Sequence, residues 1–221
     1  MTNLLGVVIC LIYIFAIIGL AEGLRRWRGY SSGFTRKVIH IGVGMLAWAV
    51  PFLFDTPWYF VAACLAFAVL NFLDWRFHFF KSMAALDGAN LGTVYFPLSA
   101  AVVVIMLWEN PPLMVAALMP LTWGDGMAPV IGQTLGRHPY TVFGYTRTWE
   151  GSAAFFLFGL FFTWLALWVI PGPQTITPLT ALAPAGITML VTTFIEDLSV
   201  RGLDNLTVTA GALAVLWLWP F

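Results

Sequence analysis

Charge is what this chain has least of. Only 9% of its residues are Asp, Glu, Lys or Arg, while 61% are hydrophobic. A soluble domain carries about 25% charged residues, so the composition excludes one and points to an integral membrane protein. Ten cations offset ten anions, which leaves no basic stripe for nucleic acid. Cys10 and Cys64 each sit inside an apolar run, with neither the count for a disulfide framework nor the spacing of metal ligands. No GxxxxGK[ST] loop occurs, so a Walker-type nucleotide site is excluded. Nothing basic precedes the first apolar run, and Arg25, Arg26 and Arg28 follow it. That order favours a retained first helix with its N-terminus outside over a cleaved signal peptide. There is no internal repeat, long linker or low-complexity tail, so residues 1–221 are expected to form one domain.

What is present is a series of apolar segments, each near the length that crosses a bilayer. They fall near Leu4–Ala21, Val38–Phe54, Trp58–Leu73, Leu91–Trp108, Leu113–Gly136, Ser152–Ile170, Ile176–Phe194 and Leu206–Trp219. The expected fold is therefore all-α, a polytopic transmembrane bundle of about eight spans. All ten Lys and Arg then lie in loops 22–37, 74–90, 137–151 and 195–205, on one side, with Asp55 and Glu109 as the charges opposite. The positive-inside rule makes that side cytosolic, or stromal in a plastid. In the fifth span Pro120, Gly124, Gly126 and Pro129 surround Asp125. This pattern predicts a half-helix, a break, and a second half-helix whose N–H groups point at anions.

Four clusters could carry chemistry. Gly124-Asp125-Gly126, followed by Gly132 and Gly136, combines an intramembrane acid with glycines that let backbone approach a polyphosphate; N-capping by Asp125 is the plainer alternative. Arg147-Thr148-Trp149-Glu150-Gly151-Ser152 offers a phosphate-binding cation, a capping Thr and a carboxylate. Ordinary helix capping accounts for that cluster equally well. Glu196-Asp197, Arg201 and Asp204-Asn205 supply hard oxygen ligands suited to Mg²⁺, or simply a hydrated acidic loop. Arg36, Lys37 and His40 share one helix face, three and four residues apart. The two cations read most simply as snorkelling positive-inside markers, whereas His40 lies within the apolar run and needs a partner. Gly92 and Thr93 stand at another helix mouth, where packing is the simpler explanation, and His78 and His138 have no evident metal-ligand partners.

Taken in order, these stretches resemble the polyprenol kinase family, which includes dolichol kinase, phytol kinase and CTP-dependent diacylglycerol kinase, with phosphatidate cytidylyltransferase a more distant relative. The matching elements are Arg36-Lys37-x-x-His40-x-x-x-Gly44, Gly92-Thr93-Val94-Tyr95-Phe96-Pro97-Leu98, Gly124-Asp125-Gly126-Met127-Ala128 with Gly132 and Gly136, Thr148-Trp149-Glu150-Gly151-Ser152, and Glu196 with Asp204-Asn205-Leu206-Thr207-Val208. The second element most resembles the phytol kinase branch. Arg147 departs from the pattern, standing where Lys is expected.

The resemblance implies transfer of a terminal phosphate, typically from CTP with Mg²⁺, to a lipid alcohol such as phytol or another polyprenol. It implies that Asp125, Glu196, Asp204 and Asn205 serve the metal, and that Asp125, Glu150 or Asp204 act in catalysis. Lys37, His40, Gly124, Gly126, Gly132, Gly136, Arg147, Thr148, Gly151 and Ser152 would meet the nucleotide, and Gly92 and Thr93 the acceptor. Two rivals use similar parts: a CTP-dependent cytidylyltransferase acting on a lipid phosphate, and a small transporter with a broken helix. The partners expected are a lipid alcohol, a nucleoside triphosphate and the bilayer. Oligomeric state is not legible.

Overall fold

The computed structural model describes residues 2–77, 91–199 and 202–220, so His78, Lys81 and Arg201 lie outside the described residues. Helix α1 (Asn3–Arg28) is the first apolar run. It ends where Gly29 turns left-handed at φ 68° and bonds back to the Arg25 carbonyl. Three arginines in its last turn suit the negative end of the helix dipole, and Glu22 pairs with Arg25 and Arg26 there. Ser31 caps α2 (Ser32–Gly44) by accepting from the Phe34 N–H. The expected second span then bends. A 3₁₀ turn over Met45–Trp48 leads into the short α3 (Val50–Leu53), whose Pro51 has no N–H to continue the ladder.

Helices α4 (Trp58–Phe77) and α5 (Gly92–Leu107) follow, then α6 (Pro111–Met119). Every α6 residue from Pro112 to Met119 is buried, which makes it the central strut, since a helix apolar all round belongs inside its bundle. The break expected near Asp125 is a re-registered turn instead. Pro120–Gly124 forms a π-helical turn that runs directly into α7 (Asp125–Leu135). Proline at 120 removes one ladder donor and crowds the turn before it, and the wider π register absorbs the misfit. The Asp125 N–H is spent on the Pro120 carbonyl, so no free half-helix N-terminus faces a cavity.

The expected loop 137–151 contains an antiparallel hairpin, β1 (Pro139–Val142) and β2 (Tyr145–Thr148). Its turn places Phe143 at φ 49° and Gly144 at φ 82°, both positive as the favoured two-residue hairpin requires. Helices α8 (Trp149–Val169), α9 (Pro178–Leu198) and α10 (Asp204–Trp217) complete the bundle.

Glycine decides one helix contact. Gly124, Ala128, Gly132 and Gly136 recur every fourth residue and form a smooth stripe against α8. A Cβ on Gly124 would stand 3.1 Å from Phe155, and one on Gly132 2.9 Å from the Thr148 hydroxyl; one on Gly151, from the facing helix, would stand 3.1 Å from the Ala128 carbonyl. Small residues at this spacing let membrane helices touch closely.

Among the described residues, five helical segments are long and apolar enough to cross a membrane: Asn3–Arg28, Trp58–Phe77, Pro111–Leu135, Trp149–Val169 and Pro178–Leu198. The remaining apolar segments are shorter, like Gly92–Leu107, or bent, like the one ending in α3. Large apolar side chains such as Ile12, Leu20, Leu65, Leu157, Phe161 and Leu190 are exposed on the outer faces of α1, α4, α8 and α9, as a lipid-facing bundle requires.

Candidate active site

One cavity of about 690 Å³ lies between α1, α2, α4 and α5 and reaches the start of α10. Its polar end is lined by Lys37, His40, Asn71, Asp74, Asp125, Asp204 and Asn205. Along α1 the lining recurs at Val7, Cys10, Leu11, Ile14 and Ile18, so the rest of the cavity is apolar.

The irregular backbone at Asp125 builds the polar end. Pro129 has no N–H, so the Asp125 carbonyl four residues earlier lacks its helical partner. The Lys37 ammonium takes that place, donating to the carbonyl at 2.9 Å and to the Asp125 carboxylate at 2.8 Å. His40, one turn further along α2, donates from Nε2 to the Leu121 carbonyl at 2.8 Å, within the π turn. The same nitrogen stands 3.3 Å from Asp125 Oδ2, and its ring lies 4.7 Å from that of Phe96. Lys37 is thus a specific partner of Asp125 and not a snorkelling marker. Gly44 lets the two segments meet, since a Cβ there would fall 2.5 Å from Thr122. The Thr122 hydroxyl, buried in the π turn, has no hydrogen-bond partner among the described residues.

Asp204 enters the same cavity from the first turn of α10, and its Oδ1 accepts from the Asn205 N–H at 2.9 Å and from Asn205 Nδ2 at 3.0 Å. The Asn205 carbonyl accepts in turn from Ser99 at 2.7 Å. Asn205 therefore orients the carboxylate, and no described cation forms an ion pair with it. Gly92 and Thr93, for which packing is the simpler expectation, line this cavity too. Asn71 was not singled out in the sequence; it donates to the Thr93 carbonyl at 2.8 Å. A lone amide inside an apolar run was the signal for it.

Other expected site residues are elsewhere. Arg147 on β2 pairs with Glu196 on α9 and donates to the Ser199 carbonyl at 2.7 Å; neither it nor Glu196 lines the cavity. Ser152 donates to Asp197 at 2.9 Å and bonds the Tyr140 hydroxyl, which itself donates to Asp197 at 2.5 Å. Burial first, and the Asp197 hydrogen bond second, push the Tyr140 phenol up to about 12. Together these groups latch the hairpin to α8 and α9. Thr148 caps α8, accepting from the Gly151 N–H at 3.1 Å. Glu150 pairs with His138 at 2.6 Å, where the His138 side chain is 74% exposed. Gly132, Gly136 and Gly151 close the α7–α8 contact, and Gly124 and Gly126 meet Phe155 and Ile41. All five make tight contacts where a phosphate cradle was expected: the four-residue spacing of Gly124, Gly132 and Gly136 puts them on a packed face, while Gly126 meets α2 and Gly151 faces the stripe from α8.

Among the described residues no three His, Cys, Asp or Glu side chains gather to hold a metal by themselves. Asp125 and Asp204 both line the cavity, and one or two carboxylates plus substrate phosphates are a donor set that suits Mg²⁺. Glu196, expected in that ligand set, is committed to Arg147.

Comparison with known proteins agrees along nearly the whole chain. It is 30% identical to a phytol kinase of Synechocystis over 93% of its own length and 87% of that relative. It is 23% identical to a probable chloroplastic phytol kinase of Triticum aestivum, covering 92% of this chain and 73% of the other. The figure for phytol kinase 1 of Arabidopsis thaliana, also chloroplastic, is 24%, over 92% and 72%. No family profile and no solved structure matches. With a lipid-facing helical bundle and one cavity that is polar at one end and apolar along its depth, the chain belongs to the phytol kinase family and is a lipid-alcohol kinase.

Proposed function

We propose that the protein transfers the terminal phosphate of CTP, with Mg²⁺, to a membrane isoprenoid alcohol such as phytol, on the cytosolic or stromal face. The observation that carries this is the cavity whose polar end gathers Lys37, His40, Asp125 and Asp204 and whose remainder is apolar. A lipid alcohol has the same division, a hydroxyl on a hydrocarbon chain, and settles hydroxyl first toward Asp125. The relatives' names support phytol; the family resemblance supports CTP.

Phosphoryl transfer asks a protein mainly for positioning and charge neutralisation. Lys37 supplies a cation beside Asp125 for the donor phosphates, and His40 fixes the π turn that presents the carboxylate. Asp125 and Asp204 would hold Mg²⁺, with Asn205 orienting Asp204. When bound, Mg²⁺ neutralises charge on the phosphates. The alcohol oxygen forms a bond to the terminal phosphorus, the bond to the bridging oxygen breaks, and CDP leaves. The hydroxyl proton passes to Asp125, one of the carboxylates at the cavity's polar end; Glu150 is outside the cavity and paired with His138.

Purified protein given each nucleotide in turn, with phytol as acceptor, tests this by its products. CDP and phytyl phosphate are expected. Pyrophosphate release, or equal turnover with every nucleotide, would overturn the assignment.

A further inference from the structure

The cavity continues well beyond what a hydroxyl and a phosphate need. Below its polar end it follows α1 down to Val7 and α4 down to Phe60. At 1.5 Å per helical residue, the stretch from Ala21 to Val7 measures roughly 21 Å, and so does that from Asp74 to Phe60. There its lining ends. Phe54 is 4% exposed, its ring lies 5.9 Å from that of Phe60, and both line the end. Behind them α1 presses on α3 so closely that a Cβ on Gly6 would stand 2.6 Å from the Leu53 carbonyl and 3.0 Å from the Phe54 ring.

We infer that this apolar depth is a chain-length gauge: it takes the alcohol's hydrocarbon tail inside the protein, and the Phe54–Phe60 floor sets the longest tail that still brings its hydroxyl to Asp125. This rests on the lipid-alcohol reading above and adds the acceptor's size to it. Staggered carbon–carbon bonds of ~1.5 Å advance a chain roughly 1.25 Å per carbon, so ~21 Å holds about seventeen main-chain carbons. That suits an acyclic isoprenoid alcohol of about twenty carbons, four of them methyl branches. A much longer polyprenol meets the floor before its hydroxyl arrives.

The test compares kcat/KM for geraniol, farnesol, geranylgeraniol and a long polyprenol, and reads occupancy separately. Wild type is expected to peak at geranylgeraniol. Phe54→Ala and, independently, Phe60→Ala should raise the long polyprenol relative to geranylgeraniol about tenfold, the scale at which a pocket reads methylenes. Ala63→Phe, placed in the lower half of the lining, should lower geranylgeraniol relative to farnesol by about as much. For occupancy, Cys10 and Cys64 both line the cavity. Their alkylation by N-ethylmaleimide should slow severalfold with geranylgeraniol and little with geraniol. Length ratios unmoved in all three variants, or no protection of the thiols, would overturn the gauge. If no alcohol is phosphorylated but length-graded protection persists, the gauge stands and the kinase assignment falls.

Discussion

Two polar clusters stand near one another in this bundle, and their side chains are chemically alike. In the hairpin latch, Arg147 meets Glu196, and Tyr140, Ser152 and Asp197 satisfy one another. At the cavity end, Lys37 and His40 share Asp125, while Asp204 faces the same space and, among the described residues, is hydrogen-bonded by Asn205. The latch closes on itself, as a buried polar network must if it is to hold structure. The cavity end leaves acid and cation facing an open volume. Carboxylates and cations in a membrane protein are thus told apart by whether their partners complete them.

The sharpest way to break this contrast is at Asp125. Asp125→Asn should lower turnover by about a thousandfold or more, the scale lost with a main electrostatic group, while the protein stays inserted and folded. Lys37→Ala should cost about a hundredfold on the same grounds. Near-wild-type rates of phytyl phosphate formation in either variant would remove the cavity end as the catalytic centre.

The latch should answer in stability. Arg147→Ala leaves Glu196 buried without its partner, a change that costs about 3–5 kcal/mol when such a pair is broken. The melting temperature in detergent should drop, and turnover at low temperature should stay within a few-fold of wild type. Arg147→Lys should recover only part of the stability, because Lys lacks the planar fork that reaches both Glu196 and the Ser199 carbonyl. A large kcat loss with unchanged melting would instead move Arg147 into the reaction.

Smaller effects refine the boundary. The Tyr140 phenol is pushed up from 10.0 to about 12, so the protonated form is the one the fold favours. Its contribution is complete below the unfolded value and is lost as pH rises from there through the folded one. Melting curves of wild type and Tyr140→Phe should therefore differ by a constant amount through neutral pH and converge in strong alkali. Glu150→Gln should change turnover by less than about threefold, since it removes only an exposed pair; a hundredfold loss would bring Glu150 back as a base.

Much of the candidate site was legible along the chain, and the reason differs by residue. An acid among apolar neighbours, Asp125, stands out because burying a charge is costly without a purpose. His40 stands out for the same reason. Asp204 was found as part of an acidic loop, without any sign that Asn205 would orient it. Lys37 was misjudged in its plain reading because snorkelling and ion pairing look the same in sequence. The glycines after Asp125 were taken for a cradle because the stripe they form acquires meaning only against Gly151 and Phe155. The hairpin was overlooked because its strands are four residues each and its turn lacks the usual Asn-Gly.

Hydropathy and charge act locally, residue by residue, against the bilayer. They sufficed to determine a bundle of apolar, membrane-capable helices. Which carboxylates share one space is a matter of helix register between distant segments: Lys37 and Asp125 lie 88 residues apart. The depth of the cavity and the floor that ends it depend likewise on how α1, α3 and α4 lean together. Only the tertiary structure decided those, because close packing is settled by shapes that meet in space and leave no periodic trace in the chain.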